Sequence, residues 1–373
     1  MRKLIELIIL TLLFLLCCGR NGNVVSMPKG NEISFSHSRN LKLEELSPGV
    51  TLVSLKNPWD TTTNIAVYLL EEKGKEYKGD LPKSVQRISV PLQRAVVYSG
   101  VHVSLIDELG GYGAVKGICD AQYIHDPKIL GSLKEGKIED CGNNLNPNVE
   151  RIISLQPDAV MLSPYESSDA TAPLSNSPLK TILTIDYMEK TPLGRAEWMR
   201  FYGRLFGKGA EADSLFKHIE GEYEQLKRKA ATAKYRPSVL FDRLYSGLWD
   251  VPTASSVTGN LIEDAGGYNP FRDYRQGGAA RLAAEEVLLK GREADIWCIR
   301  YIEPQLSKET LQKDNAIYSR FKAFKEGNVW GVNTMTTNYF EDGAFHPNET
   351  LREMLRLLHP ELETTPLKYF HKL

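Results

Sequence analysis

Two series of short apolar runs, each alternating with stretches of helical periodicity, flank one long amphipathic segment. This arrangement limits the folds open to the chain more than any other feature. The first series reads "RAVVYSG", "AVKGICD", "DAVMLSP" and "LKTILTID" as strands, with "VHVSLIDELGG" and "NPNVERIISLQ" as helices. The second reads "SVLFDRLY", "ADIWCIR" and "NVWGVN" as strands, with "SSVTGNLIEDAGG", "RLAAEEVLLKG" and "HPNETLREMLRLLHPEL" as helices. Strands that are apolar throughout, not at every second residue, belong to parallel sheets covered on both faces. Between the series, Ala212, Leu215, Phe216, Ile219, Tyr223 and Leu226 share one face of a helix expected over about 210–233. It would measure about 36 Å, enough to run along two lobes. The predicted architecture is α/β: two Rossmann-like lobes with mostly parallel sheets, joined by that one helix.

The length of 373 residues fits two lobes better than one core. A net charge of -1, with no basic stripe, gives no case for nucleic acid. At the N-terminus Arg2 and Lys3 precede an apolar run, Leu4 to Leu16, interrupted by Glu6 and Thr11. It is too short to span a bilayer, which takes about 20 residues, and suits an export signal. It ends in "LLCCGR", which resembles a bacterial lipobox, with Cys18 as the lipidated residue and Leu15 three places before it. The expected localisation is the periplasm, anchored to a membrane by lipid. Three cysteines follow the signal. Cys119 and Cys141 could pair in an oxidising compartment or stay as buried thiols, and Cys298 is left over.

The spacing divides the chain into a signal at 1–17, a flexible tether at 18–45, a first lobe at 46–192, helices at 193–233 and a second lobe at 234–373. "GVTLVSL" and "NIAVYLL", joined by "KNPWDTTT", form a small β-hairpin over 49–70 ahead of the first lobe. There is no His-Glu-x-x-His, His-x-His or His/Cys pair at ligand spacing, so a bare metal ion is not the expected ligand. "GGYGAVKG" lacks the spacing of a phosphate loop, and no Gly-x-Ser-x-Gly elbow occurs. No resident cofactor is implied.

"PNVERIISLQPDAVML", "MEKTPLGRAEWMRFYGRLFG", "SSVTGNLIEDAGG", "AAEEVLLKGREADIW" and "YFEDGAFHPNETLREMLRLLHPEL", in this order, resemble the substrate-binding proteins of ABC importers for ferric siderophores, haem and cobalamin. The resemblance covers most of residues 85–363, and "KNPWD" is similar to the longer, lipid-anchored subgroup. It implies a monomer that binds a metal chelate between its lobes. It also implies delivery to a permease dimer with its ATPase subunits, and no catalysis. An envelope chelatase or esterase acting on such a chelate is the alternative.

A cleft between two such lobes opens at the carboxyl ends of their strands. The loops there place Tyr98, Ser99, Tyr123, Tyr165, Tyr245, Trp249, Arg300, Tyr339 and Phe340 as expected ligand contacts, aromatics suiting a bulky, part-apolar chelate. In the "YFED" stretch a tyrosine, Tyr339, stands where cobalamin-binding relatives carry a tryptophan, which leaves cobalamin open. Glu150 and Glu285 each lead a short helix before a strand, one per lobe. The resemblance implies that each meets an arginine cluster of the permease, with Glu286 competing with Glu285 for the second role.

Overall fold

A computed structural model describes residues 26–164, 174, 177–275 and 277–373. The first apolar series builds a five-stranded, all-parallel sheet ordered Thr181–Leu183, Ala159–Leu162, Ala95–Val97, Val115–Ile118, Glu139–Asp140. Every side chain of its two central strands Ala95–Val97 and Ala159–Leu162 is buried, as coverage on both faces requires. The helices between the strands start at polar caps. Asp126 Oδ1 accepts from Lys128 N at 2.7 Å, and Asn148 Oδ1 from Arg151 N at 3.0 Å.

The second series builds the order Val239–Phe241, Ile296–Tyr301, Val329–Asn333, His371–Lys372, parallel except for the last pair. A three-stranded antiparallel sheet, Leu244–Tyr245, Leu248–Pro252 and Ala279–Leu282, stands beside it. The helix expected from Arg281 begins only at Ala284, because Ala279–Leu282 pairs with Leu248–Pro252.

The lobes are joined by the helix Gly209–Ala230, whose 22 residues measure about 33 Å. Gly207, with φ +68, turns the chain into it from the helix Met199–Leu205. Gly203 lets the two helices touch, since a Cβ there would lie 2.5 Å from Ala212 Cβ and 2.7 Å from the Lys208 carbonyl oxygen. On its other side the long helix packs against Pro347–Leu358, where Asn348 Nδ2 donates to Glu222 at 2.7 Å. The largest apolar cluster reaches through both lobes, from Val96, Ile152 and Val160 to Phe241, Phe345 and Leu355, while a second packs around Trp249, Trp297 and Phe321 on the other side of the second sheet.

The N-terminal region differs from expectation. The hairpin Val50–Lys56/Asn64–Glu72 is present, but as the middle of a five-stranded sheet completed by Asn31–Ile33, Leu41–Ser47 and Val85–Val90. Residues 31–45, expected as tether, are therefore largely structured. Leu41 and Leu43 alternate inward, which gives the sheet its buried face.

Two carboxylates hold this accessory sheet to the first lobe. Glu197, 1% exposed, accepts from the backbone N–H groups of Ser36 at 3.0 Å, His37 at 2.9 Å and Ser38 at 2.8 Å. Glu189, 4% exposed, accepts from Ser38 Oγ at 2.6 Å, Arg39 N at 3.1 Å, Asn40 N at 3.0 Å and Trp198 Nε1 at 3.0 Å. Buried carboxylates are stable only when so fully supplied with donors.

Candidate functional site in the cleft between the lobes

A cavity of about 740 Å³ lies where the first lobe, the accessory sheet and the second lobe meet. The first lobe contributes Tyr187, Met188, Glu189, Lys190 and Arg195. The accessory sheet contributes Arg39, Asn40, Lys56, Pro58, Trp59 and Thr61. The far wall is made by Asp250, Pro252, residues 255–258, residues 277–279 and Arg300.

Local chemistry positions each wall. In the hairpin turn, Asn57 Oδ1 accepts from Trp59 N at 3.0 Å, and Asp60 Oδ1 accepts from Thr62 Oγ1 at 2.6 Å. These side-chain turns fix the half-buried Trp59 at the rim. Arg195 Nε donates to Asp186 Oδ2 at 3.1 Å, while Asp186 Oδ1 accepts from Tyr202 Oη at 2.7 Å and lies 2.8 Å from His102 Nε2. Burial by itself pushes the Asp186 carboxyl up, but His102, Arg195 and Tyr202 together hold it below the ordinary carboxylate range. Arg300 is braced by Asp242, its Nε donating to Oδ1 at 3.0 Å and an Nη to Oδ2. Ser256 caps the helix Val257–Asp264, its Oγ accepting from Gly259 N at 2.9 Å, so that helix start faces the cavity.

The cavity carries five cationic side chains against two carboxylates. Arg195 and Arg300 are paired with Asp186 and Asp242, and Asp250 with Arg281. Arg39, Lys56 and Lys190 are exposed and have no carboxylate partner among the described residues. Chemically the site suits a broad ligand with apolar surface and negatively charged groups.

Residues 122–333 match the sequence profile described as "Periplasmic binding protein". This chain belongs to that family. An uncharacterized lipoprotein of Methanocaldococcus jannaschii is 29% identical over 299 residues, 77% of this chain and 69% of the relative. A high-affinity heme uptake system protein of Staphylococcus aureus is 27% identical over 199 residues, 52% of this chain and 66% of that one. The solved structure of a periplasmic heme binding protein from Pseudomonas aeruginosa superposes with a TM-score of 0.59 at 15% identity, covering 75% of this chain and 98% of the other. That likeness shows the fold.

Of the expected ligand contacts among the described residues, only Arg300 lines the cavity. Trp249 is a correction: it is fully buried, donates from Nε1 to the Phe241 carbonyl at 2.8 Å, and packs 5.7 Å from Trp297 and 5.5 Å from Phe321 between ring centroids. Strand alternation turned it inward. Tyr339 is a second correction, its ring 5.6 Å from Tyr369 and 5.8 Å from Phe370, because the C-terminal segment folds back over it. Burial pushes its phenol up to about 12. Tyr98 is a third, buried at the end of the strand Ala95–Val97, with an Oη that finds no hydrogen bond among the described residues. Ser99 serves as the N-cap residue of the helix Gly100–Glu108.

Tyr123 ends a short 3-10 helix, Tyr245 the strand Leu244–Tyr245, and Phe340 stands in the first turn of the helix Tyr339–Phe345; 59%, 75% and 46% of their surface is exposed, and none of them lines the cavity. Tyr165 and Cys18 lie outside the described residues. Cys119, Cys141 and Cys298 are buried free thiols, and burial pushes the Cys141 thiol up to about 12.

Of the residues missed, Arg39, Trp59, Lys190 and Arg195 come from turns and helix starts, while Lys56 ends the strand Val50–Lys56 and Tyr187 follows the strand Thr181–Leu183. The one available signal was a tryptophan in the polar turn "KNPWDTTT". Glu150 and Glu285 sit exposed in the first turns of their helices, with no hydrogen bond or ion pair among the described residues. Glu286 instead accepts from Tyr274 Oη.

Proposed function

We propose that this protein is the solute-binding component of an ABC importer, capturing a metal chelate in the cleft between its lobes. The chelate classes are haem, a ferric siderophore and a cobalamin-type corrinoid. Its partners are the permease dimer with its ATPase subunits. It works as a monomer held at the outer face of a membrane by lipid on Cys18.

The observation that carries this reading is the cavity of about 740 Å³ between two lobes of a binding-protein fold. A pocket of that size matches a ligand of many atoms and far exceeds a bare ion. The half-buried rings of Trp59 and Tyr187 in its lining offer flat apolar surface for such a ligand. The family and its solved neighbours support binding without turnover.

Glu150 and Glu285 are the proposed docking contacts with the permease, one on each lobe. The hydrogen bond from Tyr274 to Glu286 leaves Glu285 as the carboxylate free to meet a basic partner. Two such contacts fix both register and orientation.

The direct test offers the purified chain iron(III) protoporphyrin IX, a ferric catecholate and cyanocobalamin, followed by absorption spectra and calorimetry. Stoichiometric binding of one of them, with the chelate recovered intact, is the expected result. Recovery of a cleaved or demetallated chelate would favour an enzyme instead.

A further inference from the structure

We infer that the accessory sheet is a third wall of the ligand cleft, and that its Arg39, Lys56 and Trp59 select ligands carrying anionic groups on a flat body. This rests on the capture reading above and goes beyond it. Arg39, Lys56 and Trp59 lie outside residues 122–333, so the family match does not account for them.

Three observations converge. The first is placement: the turn at residues 56–61 lines the same cavity as Asp250 and residues 277–279 of the second lobe. The accessory sheet therefore spans the cleft and is not an ornament on the outer surface of the first lobe.

The second is rigidity. Glu197 and Glu189 take the backbone N–H groups of Ser36, His37, Ser38, Arg39 and Asn40, and His37 Nε2 lies 2.6 Å from Glu220 Oε1 of the connecting helix. The next bond along, Lys56 N to the Asn40 carbonyl at 2.8 Å, carries that anchorage to the start of the turn. The wall therefore moves with the first lobe.

The third is charge. The cations that do have partners, Arg195 and Arg300, come from the two lobes, whereas Arg39 and Lys56 of the wall have none among the described residues. Lys190 completes a set of three unpaired cations beside the half-buried rings of Trp59 and Tyr187. Carboxylate, phosphate or catecholate oxygens are the groups such a set holds best, the flat body lying against the rings. The start of the helix Val257–Asp264 at the opposite wall adds to the same sign of field.

The test uses the full chain with three substitutions made separately, Arg39→Glu, Lys56→Glu and Trp59→Ala. Arg39 and Lys56 are exposed, and unchanged thermal unfolding of their variants confirms that folding is intact. Iron(III) protoporphyrin IX brings two carboxylates, the ferric catecholate brings phenolate oxygens, and cyanocobalamin a single phosphodiester. The probe that wild type binds most tightly should lose about tenfold or more in affinity in each charge reversal. That loss should shrink in 1 M salt, since screening weakens exposed charge. Trp59→Ala should weaken the same probe with little change in salt dependence. Wild-type binding that persists unchanged in both charge reversals would overturn the third wall while leaving capture in place. Failure of the wild type to bind any of the three probes would overturn the capture reading and this inference with it.

Discussion

Replacing Glu197 by Gln tests whether the accessory sheet is pinned in the way its hydrogen bonds indicate. Glu197 Oε2 accepts from His37 N at 2.9 Å and Ser38 N at 2.8 Å, while Oε1 accepts from Ser36 N at 3.0 Å and Arg200 Nη1 at 3.1 Å. Glutamine keeps one acceptor oxygen and turns an NH2 group toward the other pair of donors. Whichever way the amide flips, two donors lose their acceptor in a place where water has little access, since Glu197 is 1% exposed. An orphaned buried donor costs about 1–3 kcal/mol, so the pair costs about 2–4 kcal/mol after some relaxation. At about 1.4 kcal/mol per tenfold, amide protection of Ser36, His37 and Ser38 should fall by about 30-fold or more. Hydrogen exchange measured residue by residue reads this directly, and urea unfolding gives the accompanying loss of stability. The control is Glu220→Gln, which touches only the part-exposed pair with His37 and should cost less than about 1 kcal/mol. Unchanged protection at residues 36–38 in Glu197→Gln would refute the pinning.

Trp249→Ala should cost about 3–5 kcal/mol of stability in thermal or urea unfolding, because it empties the ring cluster with Trp297, Tyr318 and Phe321. Changing Glu150 and Glu285 together to Arg should leave chelate affinity intact in calorimetry while permease association and uptake collapse. Normal uptake would remove them as docking contacts. Cys18→Ser should release the protein from the membrane fraction, and release by Cys17→Ser alone would reassign the anchor. Asp295 supplies a pH prediction. Burial opposes its charge, but hydrogen bonds from Lys322, Ser238 and Tyr235 hold its carboxyl down at about 2. A folded-state pKa below the unfolded one adds stability above the ordinary carboxylate range, and that stability is lost as the pH falls through the folded value. Acid titration should therefore show the stability gap between wild type and Asp295→Asn closing between about pH 4 and pH 2.

The parallel sheets were legible because their central strands carry unbroken apolar runs, as in "AVML" at residues 159–162 and "IWCI" at 296–299. The outer strands of the accessory sheet were not. "LKLEELS" buries only Leu41 and Leu43, and its charged face made it read as tether. The cleft could be located from strand ends, but side-chain direction could not. Trp249 and Tyr339 were both placed in the right neighbourhood and point into cores that form only when distant segments close over them. Phe321 covers the first and Tyr369 the second. The cavity walls Arg39 and Lys56 escaped for the converse reason: an exposed polar residue in a bend or at the end of a strand carries no periodic signal, and only the tertiary fold brings it to the same cavity as Asp250.

The apolar cluster shared by both lobes bears on how such a molecule can signal that it is loaded. Bodies that share close-packed side chains along a stiff rod of about 33 Å have little room to swing. The distance between Glu150 and Glu285, a caliper with one jaw on each lobe, is then nearly the same with or without cargo. If a permease grips those two points, as proposed, it learns the identity of its caller but not the contents of its hands. On that reading, news of the cargo would travel by the rim of the cleft itself, where Trp59 and its neighbours line the cavity.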